Sequence, residues 1–282
     1  MNNTTLYVTR EYKISYLNGS IVLDNGKKQS FNLENVQNVV FEDDRTSVSL
    51  YTLNVLASKN IGVLFCNGKK LPNAMLVPVY SAGTADSVIK QTAWDTERFP
   101  HAWKRIVGQK ISCQKQVLAK YGKNVDFDEQ ITEGDVTNVE GRFAKEYFKA
   151  LFGKNFRRHI SDEKNALLDY GYALLLSKTC QIIYSHGYIT QYGLHHKGKN
   201  NRFNLAYDIL EPFRPLVDRL AFLTEGELDT QNKKFLISVL NEEITYKGRK
   251  YALPYAMDLF FTDVVDFLET GKCDIGDVIL FD

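Results

Sequence analysis

Disulfide and zinc frameworks are missing from this chain. Its four cysteines, Cys66, Cys113, Cys180 and Cys273, lie far apart and form no C-x-x-C pair. They read as reduced thiols of an intracellular protein. No H-x-x-x-H pair marks a zinc hydrolase. There is no G-x-S-x-G, and no cysteine has a histidine beside it in sequence, so no serine or cysteine nucleophile is indicated. The opening Met-Asn-Asn-Thr-Thr-Leu-Tyr-Val-Thr-Arg lacks the apolar core of a signal peptide, and no run approaches the length of a membrane span. The expectation is a soluble, cytoplasmic protein with no membrane partner. Excess charge is missing too. The formal net charge is +1, so any case for nucleic acid rests on where the charges fall.

What is present is ordinary globular material: 282 residues, 44% hydrophobic and 24% charged. The pattern predicts an α+β protein with a small N-terminal β-rich domain (1–80), a linker (81–93) and a larger all-α domain (94–282). Short apolar segments at Leu6–Val8, Ile14–Leu17, Ile21–Leu23, Phe31–Leu33, Val39–Phe41, Ile61–Cys66 and Ala74–Tyr80 read as strands. Asn18-Gly19, Asn25-Gly26 and Asn67-Gly68 are turn signals. Residues 47–60 have a helical period with Ser47 as cap, and Asp43-Asp44-Arg45 reads as a solvated turn. The stretch 81–93 is small and polar. Long helical periods follow from about Trp94, and 247–254 reads as a polar turn.

Charge is segregated along the chain. Arg98, Lys104, Arg105, Lys110, Lys115, Lys120 and Lys123 occur with no acidic residue among them, whereas 221–282 hold twelve Asp and Glu against six Lys and Arg. The basic stretch suits a phosphate backbone; the competing reading is a solvated helix balanced from elsewhere. Chemistry concentrates at 193–219. His195 and His196 precede a loop carrying Lys197, Lys199 and Arg202, and then Asp208 and Glu211. With Asn204 as cap, a helix over 204–211 stacks the two carboxylates on one face. Pro212 and Pro215 remove the amides that would bond to residues 208 and 211, so the helix bends there. A broken helix with carboxylates, an imidazole and a cationic loop suggests a divalent metal and a phosphate, against the alternative of solvated helix charges. A further carboxylate, Glu140, opens an apolar helix capped by Asn138 and stopped by Gly153. The glycine after it, Gly141, costs about 1 kcal/mol relative to alanine in a helix and permits a close approach.

Three features carry a resemblance that covers essentially the whole chain. They are Asn138-Val139-Glu140-Gly141 opening an aromatic-rich helix, the Gly-Leu-His-His segment, and Asp208-Ile-Leu-Glu211-Pro-Phe-Arg-Pro-Leu-Val-Asp218. The chain resembles the integrase of CRISPR adaptation, the first of the CRISPR-associated proteins, in the branch whose systems use a single large effector nuclease. The resemblance implies a metal-dependent DNA endonuclease and integrase with Mg²⁺ or Mn²⁺. It implies Glu140, His196 and Glu211 as catalytic metal ligands, with Asp208 and His195 as further candidates. His196 is preferred over His195 for its spacing to Glu211. Glu211 stands where the family ordinarily has Asp. Lys104, Arg105, Lys110, Lys197, Lys199, Arg202 and Arg214 are the DNA-binding candidates, with Arg214 open to being a buried partner of Asp208 or Asp218 instead. The implied partners are double-stranded DNA, a second copy in a homodimer formed through the N-terminal domain, and the small second CRISPR-associated protein bridging two dimers. A ring-shaped DNA-end-binding protein and the effector nuclease are implied as well. A non-catalytic DNA scaffold of the same complex and a small-molecule metallohydrolase are the competing functions. The basic run argues against the second.

Overall fold

The computed structural model describes residues 4–78, 85–158, 160, 162–272 and 274–281. The chain divides into two compact units, Met1–Ala82 and Gly83–Asp282. The α+β class holds.

In the first unit, β1 (Thr4–Val8), β5 (Val36–Phe41) and β7 (Gly62–Cys66) run parallel, with β8 (Pro72–Leu76) antiparallel at the edge. A second sheet has the order β4 (Lys28–Asn32), β3 (Ser20–Asp24), β2 (Lys13–Leu17), β6 (Ser47–Val48). The Asn18-Gly19 turn behaves as its sequence dictates: both residues take positive φ, 46° and 79°, and Leu17 pairs with Ser20. Ile14, Ile21, Val39, Leu56 and Val63 are at the centre of one shared core. Helix α1 (Leu50–Ser58) starts later than its periodicity suggests. Ser47 enters β6, and Ser49 caps the helix through the amide of Thr52 at 3.1 Å. Asp43 is not solvated: it is largely buried and pairs with Arg45 at 2.8 Å. Val79 and Tyr80 of the last expected strand lie outside the described residues.

The second unit is built on α3 (Phe99–Lys120), which buries Ala102, Trp103, Ile106, Val107, Val117 and Leu118. It packs against α4 (Val139–Phe152), α7 (Arg214–Leu223) and α8 (Leu253–Thr270). Helix α5 (Glu163–Ser185) crosses α7 closely. A Cβ on Gly171 would lie 2.4 Å from Val217 Cγ1, so only glycine permits that approach.

Two expectations are corrected here. Residues 81–84 lie outside the described ones, but 85–92, read as linker, form α2 (Ala85–Thr92). Its Gln91 is fully buried, donating to the carbonyls of Ile189 (2.8 Å) and Tyr192 (3.1 Å) and accepting from the Ile189 amide (2.8 Å). A single carboxamide thus anchors a helix of linker-like composition. The second unit is also not purely α. β9 (Glu243–Tyr246) and β10 (Arg249–Ala252) form a hairpin where a polar turn was expected, and β11 (Val278–Ile279) adds to β9. Its turn is Lys247-Gly248, at φ 48° and 74°, and lacks the Asn-Gly signature. Of the cysteines, Cys66, Cys113 and Cys180 are buried free thiols, and burial pushes the Cys180 thiol up to about 12. Cys273 lies outside the described residues.

Candidate active site

Glu140 is placed by the way α4 begins. Gly134, Asp135 and Asn138 all take left-handed φ, 68°, 49° and 55°, which coils the chain tightly before the helix. Asp135 is buried, and its two carboxylate oxygens accept the amides of Val139 (2.8 Å) and Glu140 (3.0 Å). Asn138 accepts the amide of Gly141 at 3.1 Å. Three otherwise unpaired amides of the first turn are thereby satisfied. The glycine is explained by this cap: a Cβ on Gly141 would lie 2.6 Å from Asn138 Oδ1.

Glu211 is placed by the proline break. α6 (Asn204–Leu210) stops, residues 211–213 make one 3-10 turn, and α7 starts at Arg214. The freed Glu211 carbonyl is taken by the Arg214 amide. Asn204 does not cap α6. Its side chain is buried and donates to the carbonyls of Gln191 (3.0 Å) and Gly198 (3.2 Å), pinning the loop before it.

Glu140 and Glu211 meet on the ammonium of Lys110. Glu140 Oε1 is in direct contact with Nζ, and Glu211 Oε2 lies 2.5 Å from it. Glu211 Oε1 lies 2.9 Å from Arg214 Nε. Burial works to raise the Glu211 pKa, but the Arg214 and Lys110 charges outweigh it and hold it below the usual carboxylate value. Burial likewise disfavours the Lys110 ammonium, and the two glutamates outweigh that and raise its pKa. Arg214 therefore pairs with Glu211, not with Asp208 or Asp218, and its guanidinium lies over the Tyr172 ring at 4.7 Å.

The histidines belong to a second cluster. Asp208 has no exposed side-chain surface. It accepts the amides of Leu194 (2.6 Å), His195 (3.1 Å) and His196 (3.1 Å) and lies 2.6 Å from His196 Nδ1. A carboxylate saturated by three amides leaves Nδ1–H as the donor, which fixes the ring and its tautomer. The hydrogen bond to Asp208 raises the His196 pKa. His195 stacks flat on Trp103, centroids 4.1 Å apart, and burial lowers its pKa. Gly193 is required by this packing: a Cβ there would lie 2.7 Å from Asp208 Oδ2.

Among the described residues, no group of three or more His, Cys, Asp or Glu side chains is gathered to hold a metal ion. The donor set still fits one in kind. Two hard carboxylate oxygens converge on a single buried cation, and an imidazole nearby is held by a carboxylate through Nδ1, as metal-ligating histidines ordinarily are. A cavity of about 720 Å³ opens on Lys110, Glu140, Arg214 and Asp218. Its rim carries Lys145, Lys149, Lys154, Arg157 and Arg158, cations that no sequence motif singles out. A separate cavity of about 700 Å³ is lined by His196 with the exposed Lys197, Lys199 and Arg202.

The other basic candidates divide. Lys104 is exposed. Arg105 is instead engaged with the Ile275 carbonyl and the Asp277 carboxylate, each at 3.0 Å. Lys110 is buried, inside the site. Lys110 and Asp135 were the site residues hardest to find in sequence. Lys110 was hidden in a run of surface-like lysines, and Asp135 had only the glycine before it as a signal.

Comparison with known proteins identifies the family. The model of a family described as CRISPR associated protein Cas1 matches residues 6–254. The CRISPR-associated endonuclease Cas1 of Neisseria meningitidis is 28% identical over 251 residues, 84% of this chain and 83% of that protein. That of Korarchaeum cryptofilum is 23% identical, covering 89% of this chain and 90% of its own. Among solved structures, a casposase bound to integration product superposes with a TM-score of 0.79 at 18% identity, covering 98% of this chain and 92% of that one. A chain of a Cas6-RT-Cas1–Cas2 complex superposes at 0.67 and 20% identity, covering 99% of this chain and 36% of its own. At these identities the structural likeness establishes a shared fold.

Proposed function

Since the chain belongs to the Cas1 family of CRISPR-associated proteins, we propose that it is a metal-dependent DNA endonuclease and integrase that joins short foreign DNA to a CRISPR repeat. The observation that carries this reading is the convergence of Glu140 and Glu211 on one buried cation at the mouth of a cation-rimmed cavity. In the reaction a 3′-hydroxyl attacks a repeat phosphodiester and displaces the 3′-oxygen of the cut strand, a transesterification that needs positioning and charge neutralisation more than a protein nucleophile. A Mg²⁺ or Mn²⁺ ion held by Glu140, His196 and Glu211 would polarise the phosphodiester and offset charge on the entering and leaving oxygens. Asp208 holds the imidazole through Nδ1, which leaves Nε2 as its metal-ligating nitrogen. Arg214 braces Glu211 from its far side. Lys145, Lys154 and Arg157 neutralise phosphates of the strand in one cavity, and Lys197, Lys199 and Arg202 do so in the other.

The same reading assigns a homodimer bridged by the small second CRISPR-associated protein, with the ring-shaped DNA-end-binding protein and the effector nuclease as further partners. The test is joining of a labelled short duplex to a repeat-bearing supercoiled plasmid, with the bridging partner, in Mn²⁺, Mg²⁺ and EDTA. Glu140→Ala and His196→Ala are expected to lower joining by at least ~100-fold with DNA binding retained, a loss of the size expected for essential site residues. His195→Ala is expected to lose less, since its ring is stacked on Trp103. A wild type that binds DNA tightly but joins nothing in any metal would leave the scaffold function standing.

A further inference from the structure

Lys110 is buried, whereas Lys104, Lys115 and Lys120 of the same helix are exposed. Burying an ammonium is unfavourable without charge compensation, and here two carboxylates from separate elements supply it. Each of those carboxylates turns an oxygen to the same nitrogen. The ammonium thus lies where a divalent cation bridging Glu140 and Glu211 would lie, and the two cations exclude each other by contact and by charge. With no cation between them, the buried Glu211 and half-buried Glu140 carboxylates, of like charge, would repel at short range.

We propose that Lys110 is a resident counter-ion of the active site, which holds Glu140 and Glu211 in register and yields its place to the divalent metal. This rests on the metal-dependent reading above. The neighbouring cavity provides room for the displaced side chain, because Lys110, Gln114 and Asp218 line it together. The lysine then faces the Asp218 carboxylate or a strand phosphate within that cavity. Lys110 is thereby a positioning residue: it sets the apparent metal affinity without being a ligand.

The test compares wild type with Lys110→Met, a side chain of similar length that carries no charge. Three readouts are taken: Mn²⁺ binding by titration calorimetry or electron paramagnetic resonance, melting in EDTA and in Mn²⁺, and amine acylation mapped by mass spectrometry. Removing the competitor is expected to tighten Mn²⁺ binding at least ~10-fold, the effect of freeing a site from an occupant that must be displaced. The variant is expected to melt below wild type in EDTA and to recover with Mn²⁺, because a ligand bound only by the folded state stabilises it. The acylation readout needs only the wild type, so it stands even where Lys110→Met does not fold. Lys110 is expected to be protected in EDTA and several-fold more reactive in Mn²⁺, with exposed Lys115 unchanged.

Wild type that binds Mn²⁺ while Lys110 stays protected overturns the proposal and leaves the metal reading intact. A Lys110→Met protein that binds Mn²⁺ no more tightly than wild type does the same. Absence of Mn²⁺ binding by every readout in both proteins overturns the metal reading and this proposal with it.

Discussion

Two buried carboxyls on the same segment, Glu211 and Asp218, show how environment decides ionisation. Glu211 is surrounded by the Arg214 and Lys110 charges, and these outweigh its burial. Asp218 has mainly the Tyr172 hydroxyl as donor, and burial pushes its carboxyl up to about 6. A carboxyl whose folded pKa exceeds its unfolded one costs stability once it ionises. That cost is absent below pH ~4 and complete above pH ~6, so stability falls as pH rises through this window. Asp218→Asn removes the cost. Any packing penalty of the amide is independent of pH, so the readout is the change with pH. Urea unfolding at pH 4 and 7.5 is expected to show the variant gaining on the order of 2 kcal/mol on wild type between the two. A difference that stays constant with pH would mean that Asp218 ionises normally in the folded protein. Most of these residues could be named from sequence, but not their partners: Arg214 was ambiguous, and Lys110 passed as a surface cation.

At the scale of elements, the start of α4 balances two opposed local effects. Alanine in place of a helical glycine gains about 1 kcal/mol. Loss of a side-chain N-cap costs about the same. In Gly141→Ala both apply, because the new Cβ would meet Asn138 Oδ1 at 2.6 Å and displace the cap. Displacing it also strains the left-handed turn beneath Glu140, so the variant is expected to be destabilised by about 1 kcal/mol. In an Asn138→Gly background no cap remains to displace, and the same substitution is expected to stabilise. A double-mutant cycle by denaturant unfolding reads the sign in each background. Gly141→Ala that stabilises the wild-type protein would mean that the Asn138 cap contributes nothing to this helix. The cap at Asn138, the stop at Gly153 and the first hairpin were legible because each rests on chemistry within a few residues. α2 and the Lys-Gly hairpin were not, because one is held by Gln91 across nearly a hundred residues and the other by β11.

Over the whole molecule, a net charge near zero hides strong segregation. Part of the basic run around α3 is tied up within the fold, although Lys104, Lys115 and Lys120 are exposed. Arg98 bonds the Leu268 carbonyl at 2.9 Å, Arg105 is tied to Ile275 and Asp277, and Lys123 bonds the Ala150 carbonyl at 2.9 Å. Besides Lys110 and Arg214, the cations that line the two cavities are those of the 145–158 rim and the 197–202 loop. Taking one cation away from a phosphate flattens the dependence of log K on log salt by about 0.9 for a duplex and 0.7 for a single strand. Lys145→Ala and Arg157→Ala are therefore each expected to lower the slope for DNA binding by somewhat under one. Arg105→Ala is expected to leave the slope alone and to lower the melting temperature, since it unties the C-terminal segment. Fluorescence anisotropy between about 50 and 300 mM salt, where counterion release dominates, and a thermal melt separate the two classes. A flatter slope for Arg105→Ala alone would return the DNA track to α3.

Most strands of the first unit, the cap and stop of α4, the break at Pro212 and Pro215, and Glu140, Glu211 and the two histidines as residues of interest are legible in the sequence alone. These follow from hydrophobic period, turn chemistry and the lost amides of proline, all of which act over a few residues, and from a family signature equally short. Tertiary structure alone decided that Lys110 lies between Glu140 and Glu211, that Asp208 orients His196, and that Asp135 sets the helix from which Glu140 projects. It also decided that residues 278–279 join a sheet with 243–252. Each of these depends on which distant surfaces pack together. A lysine in a basic run becomes a buried counter-ion only when two carboxylates from other elements close over it.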